Sequence, residues 1–156
     1  MKRLIGLALG LIVLMPALIL ADGEVTRKIT QKYPDEKTKE ITFYQDGKEI
    51  ARELFDEKGN RTTIKGKIPD GVVKGYYENE KLQTEVNYKD DKREGIGKRY
   101  YESGELQAET NYKDGKQEGI GKWYYKSGKL DSEENYKDGK QEVIGKEYHK
   151  SGKLFS

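Results

Sequence analysis

The stretch GIGKRYYESGELQAETNYKDGKQE, Gly95–Glu118, decides the fold, because the chain repeats it at once. Gly119–Glu142 matches it at 18 of 24 positions, and Gly71–Glu94 matches it at 14 of 24. A partial copy runs from Val143 to Ser156. A fixed period of this length marks stacked supersecondary units, each completing the next. Every copy holds two turn signals. Gly104, Gly128 and Gly152 follow a serine, while Gly115 and Gly139 follow an aspartate. Glycine in the second place supplies the positive φ that tight hairpins need. Between turns the residues alternate, as in Leu106, Ala108, Thr110 and Tyr112 against Gln107, Glu109, Asn111 and Lys113. Period-two segments joined by tight turns predict an all-β antiparallel meander of stacked hairpins, two strands per repeat.

The same rhythm continues upstream in diverged form. Asp46-Gly47, Gly59-Asn60 and Asp70-Gly71 are turn pairs, and they frame strands at Ile41–Tyr44, Glu49–Phe55 and Thr62–Ile68. Residues 41–70 therefore read as older repeats and 71–156 as the regular array. Residues 22–40 are polar and read as a linker or one edge strand. The hairpin register stays open. A two-residue turn at Ser103-Gly104 pairs Tyr101 with Leu106, and a longer turn with a bulge pairs Tyr100 with Leu106. A one-residue slip exchanges the two faces.

Residues 1–21 carry Lys2 and Arg3, no acid, and an uncharged run from Leu4 to Ala21 broken by Pro16. This is the pattern of a signal-peptide helix, with cleavage after Ala21 or Gly23. It predicts export to the periplasm or medium. The alternative is an uncleaved inner-membrane anchor, since 18 uncharged residues approach the length of a span. Without the leader the chain has 28 bases and 28 acids, so the slight overall excess of +2 belongs to the leader. A neutral remainder argues against nucleic acid as a partner. The absence of cysteine excludes a disulfide framework, a thiol nucleophile and a Cys-based zinc site.

The segment from Tyr112 through Gly119 and Gly121 to Gly128 resembles the MORN repeat, whose pattern is Tyr-x-x-Gly-Lys-x-x-Gly-x-Gly followed by an aromatic and a second turn glycine. It is similar, more closely, to the MORN-repeat variant of the bacterial YwqK family of toxin–antitoxin system antitoxins. That resemblance implies an elongated, curved, single-layer sheet with no catalytic role, and an antitoxin-like or immunity-like protein-binding function.

No residue set suggests catalysis, a metal or a cofactor. His149 is the only histidine and stands where Tyr101 and Tyr125 stand in earlier copies. Gly95-Ile96-Gly97 belongs to the repeat rather than to a dinucleotide fingerprint. Asp56-Glu57-Lys58-Gly59-Asn60 is similar to the start of a calcium loop, but Lys58 falls where an oxygen ligand is needed. The repeated acids and lysines read as a solvated face with cross-strand ion pairs. The tyrosine pairs recur in register, so Tyr77, Tyr101 and Tyr125, with Trp123 as anchor, are the candidate partner-binding row. The expected partner is a protein. The alternative is a structural or envelope scaffold that contacts glycan, peptidoglycan or lipid head groups through that row. Unpaired edge strands also invite pairing with a second copy.

Overall fold

The computed structural model describes residues 23–142 and 145–154. The leader expected at 1–21 lies outside them. Among the described residues thirteen strands follow one another without a helix: β1 Val25–Lys32, β2 Thr38–Gln45, β3 Lys48–Phe55, β4 Arg61–Gly66, β5 Gly71–Tyr76, β6 Leu82–Lys89 and β7 Lys92–Tyr100. Then come β8 Leu106–Lys113, β9 Lys116–Gln117, β10 Gly119–Tyr124, β11 Leu130–Lys137, β12 Lys140–Gln141 and β13 Lys146–Glu147. All join one open sheet in the order β12-β11-β10-β8-β7-β6-β5-β1-β2-β3-β4, with β9 on β8 and β13 on β11. The all-β repeat architecture is as the sequence predicts.

Two details correct the sequence reading. Residues 25–32 are neither linker nor edge, because β1 lies inside the sheet between β2 and β5. The meander is also interrupted. β1 pairs in parallel with β5, matching Val25, Thr26 and Arg27 to Val73, Lys74 and Gly75. The physical cause is the crossover after β4. Ile68 is fully buried there, and its N–H donates to Asp91 Oδ1 at 2.6 Å, which turns the chain back across the inner face before β5. The edges are thus β4, which carries Arg61 and Lys65, and the two-residue β12. Charge on one edge and brevity at the other discourage open-ended pairing.

The wide turns settle the hairpin register. Tyr100 pairs with Leu106, and the register shifts between Arg99 and Tyr100. The Gly104 N–H donates to the Tyr101 carbonyl at 2.9 Å with φ 107° at Gly104, so the bulged turn is the one adopted. All five predicted turn glycines, at 104, 115, 128, 139 and 152, have positive φ. Asp46, Asp114 and Asp138 precede their glycines at φ near 50°, as a type I′ turn requires.

Alternation gives the sheet two unlike faces. Val25, Ile41, Phe43, Ala51, Val73, Val86 and Tyr88 all point inward and, with Ile68, form the buried core. The Phe43 and Tyr88 rings meet edge to face at 5.5 Å between centroids. Their strands are three places apart, a separation of roughly 14 Å in a flat sheet. The sheet therefore curls, and β3–β4 close over the β6–β7 turn. Arg61 fastens that closure by donating to the Asp91 carbonyl at 2.8 Å.

The outer face is a charge ladder. Lys74, Glu85, Lys98, Glu109, Lys122 and Glu133 stand opposite one another in turn across β5, β6, β7, β8, β10 and β11. Lys98 and Lys122 face glutamate on both neighbours, at 3.8 Å for Lys98–Glu109 and 3.7 Å for Lys122–Glu133, and Lys74 faces Glu85 on one side and Thr26 on the other. Such solvated pairs contribute a few tenths of a kcal/mol each, up to about 1. Beside the ladder runs an exposed apolar row, Val72, Ile96 and Ile120.

Candidate binding site

Curling leaves a concave basin of about 350 Å³ on the inner face, where Arg27 of β1 meets the repeat array. Its walls are built by glycines at fixed places in the repeat. A Cβ at Gly97 would stand 2.9 Å from the Tyr112 ring, and one at Gly121 would stand 2.7 Å from the Trp123 ring. Without side chains at those points, both rings lie flat along the sheet. A Cβ at Gly75 would meet the Thr84 hydroxyl at 2.6 Å and the Arg27 stem at 3.5 Å. Trp123 and Tyr112 line the basin together with Arg27, Thr84, Arg93 and Arg99. The Arg93 guanidinium lies over the Tyr112 ring, 5.5 Å from its centre. Trp123 packs at 6.2 Å on Tyr136.

Arg27 and Arg93 reach from the lining into a buried charge cluster behind it. Glu53 is fully buried and accepts from Arg61 Nη1 at 3.0 Å, while Arg93 Nη2 stands 4.0 Å from its second oxygen. Burial, and then the charge of Arg93, hold the Arg27 guanidinium below its ordinary pKa. Tyr88 lies beside both Arg27 and Arg93.

Of the residues singled out in the sequence, Trp123 lines this basin and the tyrosines serve another purpose. The Tyr77 hydroxyl donates to the Tyr100 carbonyl at 2.6 Å, Tyr101 to Tyr124 at 2.8 Å, and Tyr125 to Tyr148 at 2.8 Å. The partner tyrosines turn outward onto the acid ladder, with Tyr100 reaching Glu85 at 2.8 Å and Tyr124 reaching Glu109 at 3.4 Å. Both members of each pair thus bind within the array. The predicted row is a ladder tying each repeat to the next. Asp56 is likewise occupied, accepting from the Lys58 and Asn60 N–H groups of its own turn.

The basin arginines had escaped notice in the sequence, although the repeat carries a faint signal. Arg93 stands where later copies have Gln117 and Gln141, and Thr84 where they have Ala108 and Ser132. Departures from a repeat mark places where one copy does something the others do not.

Fold and basin together define a β-hairpin repeat protein with a concave pocket at the junction of two blocks of strands. Residues 69–90, 93–114 and 117–138 each match the MORN repeat variant, so the chain carries three such repeats. Each match coincides with one hairpin: β5–β6, β7–β8 and β10–β11. No curated protein matches the chain.

Proposed function

We propose that this protein is an exported, non-catalytic binding module whose concave face receives a protein partner. The observation that carries the reading is the basin itself, a preformed pocket that joins a part-exposed Trp123 to arginines on a rigid repeat scaffold. Tryptophan and arginine beside a pocket are the residue types that dominate binding energy in protein interfaces. The antitoxin-like resemblance gives that module a role: neutralising an envelope or secreted toxin by covering it. The glycan or lipid scaffold needs displayed phenols, and no observation favours it, because the tyrosine hydroxyls bind within the array.

The test is affinity purification of a C-terminally tagged protein from the envelope and periplasmic fraction of its native host, read by mass spectrometry. A stoichiometric polypeptide partner, lost on Trp123→Ala, is expected. A partner retained at full yield by Trp123→Ala would move the binding surface elsewhere, and a clean preparation would end the protein-binding reading.

A further inference from the structure

The basin lining carries Arg27, Arg93, Lys98 and Arg99 and, among the described residues, no carboxylate. Behind the lining, the buried carboxylate of Glu53 acts on Arg27, stands 4.0 Å from Arg93 Nη2 and accepts a hydrogen bond from Arg61. Arg27 Nη1 and Thr84 Oγ1 are shielded from solvent and have no hydrogen-bond partner among the described residues, and behind them Glu53 Oε2 likewise has none. Thr84 is only 5% exposed, and both it and Arg27 line the cavity. Buried donors left unpaired each cost about 1–3 kcal/mol, and more when charged. Native structures leave few such groups without a protein, water or ion partner.

We propose that the basin is an oxyanion site, in which Arg27, Arg93 and the Thr84 hydroxyl hold one carboxylate or phosphate group. Guanidinium forks match the two oxygens of such a group, and charge-assisted bonds of this kind are roughly twice as strong as neutral ones. An anion there would also offset the repulsion between Arg27 and Arg93. At about 350 Å³ the cavity lies at the low end of ligand pockets, enough for one acidic side chain, a chain terminus or a small free anion. Arg99 lies outermost among its arginines and extends the positive lining toward solvent. The site occurs once along the array, since Arg27 comes from β1 and the later copies replace Arg93 with glutamine.

This inference rests on the binding-module reading for its choice of face and adds the chemistry of the group received. The purified full chain is titrated with sodium acetate and, separately, with inorganic phosphate, at constant ionic strength made up with chloride. Trp123 fluorescence and Tm are followed. A saturable change in both readings is expected with at least one anion. Arg27→Met should abolish it, and Thr84→Val, which keeps shape and removes one donor, should weaken it about tenfold. Response to acetate alone identifies a carboxylate ligand, and response to phosphate alone a phosphate ligand. No saturable response to either anion, or a response unchanged in Thr84→Val, overturns the site. A captured partner protein indifferent to Thr84→Val would leave the module reading standing and remove this one. Anion binding without any captured partner would do the reverse.

Discussion

The hydroxyl of Tyr101 donates to the backbone carbonyl of Tyr124, 23 residues downstream, at 2.8 Å. Tyr77 and Tyr125 make the same bond to the carbonyls of Tyr100 and Tyr148, and Tyr33 makes it to Phe55 over 22 residues. A side chain chosen for strand propensity thus doubles as a clamp between neighbouring hairpins. Tyr101→Phe should destabilise by about 1 kcal/mol, the net worth of a typical intramolecular hydrogen bond. Tyr101→Ala also removes ring packing and should lower stability by about 3 kcal/mol. Chemical denaturation of the two variants checks both figures. A neutral Tyr101→Phe would show that the clamp is only apparent.

The first matched repeat violates its own turn rule. Glu80 holds the place of Gly104 and Gly128 and adopts φ 64°, a left-handed conformation that strains a residue bearing a Cβ. Glu80→Gly should therefore stabilise, by about 0.5–1 kcal/mol once the greater freedom of the unfolded glycine is counted. The mirror experiment, Gly104→Ala, should destabilise by about 1 kcal/mol, because its φ of 107° suits glycine alone. Thermal melts of both decide the sign.

Alkaline pH should loosen the sheet. Burial first, and then hydrogen bonds to Glu24, Glu85 and Glu134, raise the phenols of Tyr76, Tyr100 and Tyr136 from 10 to about 12. A raised folded-state pKa means that the folded chain keeps protons the unfolded chain gives up. The resulting stability is fully present below pH 10 and is lost as pH rises through 12. Absorbance at the tyrosinate band should show a late-titrating class, and Tm should fall across that window. Tyrosines that all titrate at 10 would contradict the buried geometry.

The two faces of the sheet should respond differently to substitution. Ile96 and Ile120 are 60% and 59% exposed on the outer face, so Ile96→Ser with Ile120→Ser should change stability by no more than about 0.5 kcal/mol each. If partners dock on the concave side, the double variant should also retain partner capture, whereas Trp123→Ala should lose it. Loss of capture in the serine variant alone would place docking on the outer row.

The array was legible in the sequence because a period of 24 residues and its turn glycines are local signals. The same turn pairs announced strands at Ile41–Tyr44, Glu49–Phe55 and Thr62–Ile68, the last of which ends earlier, at Gly66, so that Ile68 falls in the crossover. What escaped was long-range. The segment Tyr33-Pro34-Asp35-Glu36-Lys37 is a repeat turn like Tyr77–Lys81, with matching hydrogen bonds, but Glu36 at φ 65° stands where glycine would have announced it. The parallel β1–β5 pairing depends on the crossover at Ile68, which no hydrophobic period encodes. The basin needed that pairing, since only it brings Arg27 to Thr84 and Arg93. Trp123 was visible as the one unmatched aromatic, and the structure places it in the basin lining.

Each tyrosine clamp reaches one hairpin forward and no further, so nothing in the array sets its length. A further 24-residue copy placed after Asp138 would find the same carbonyl ledge waiting and would add two strands beyond the basin without moving it. The molecule separates a fixed lock from an adjustable span. Reach can be tuned by duplication or deletion of whole hairpins while the lock keeps its shape.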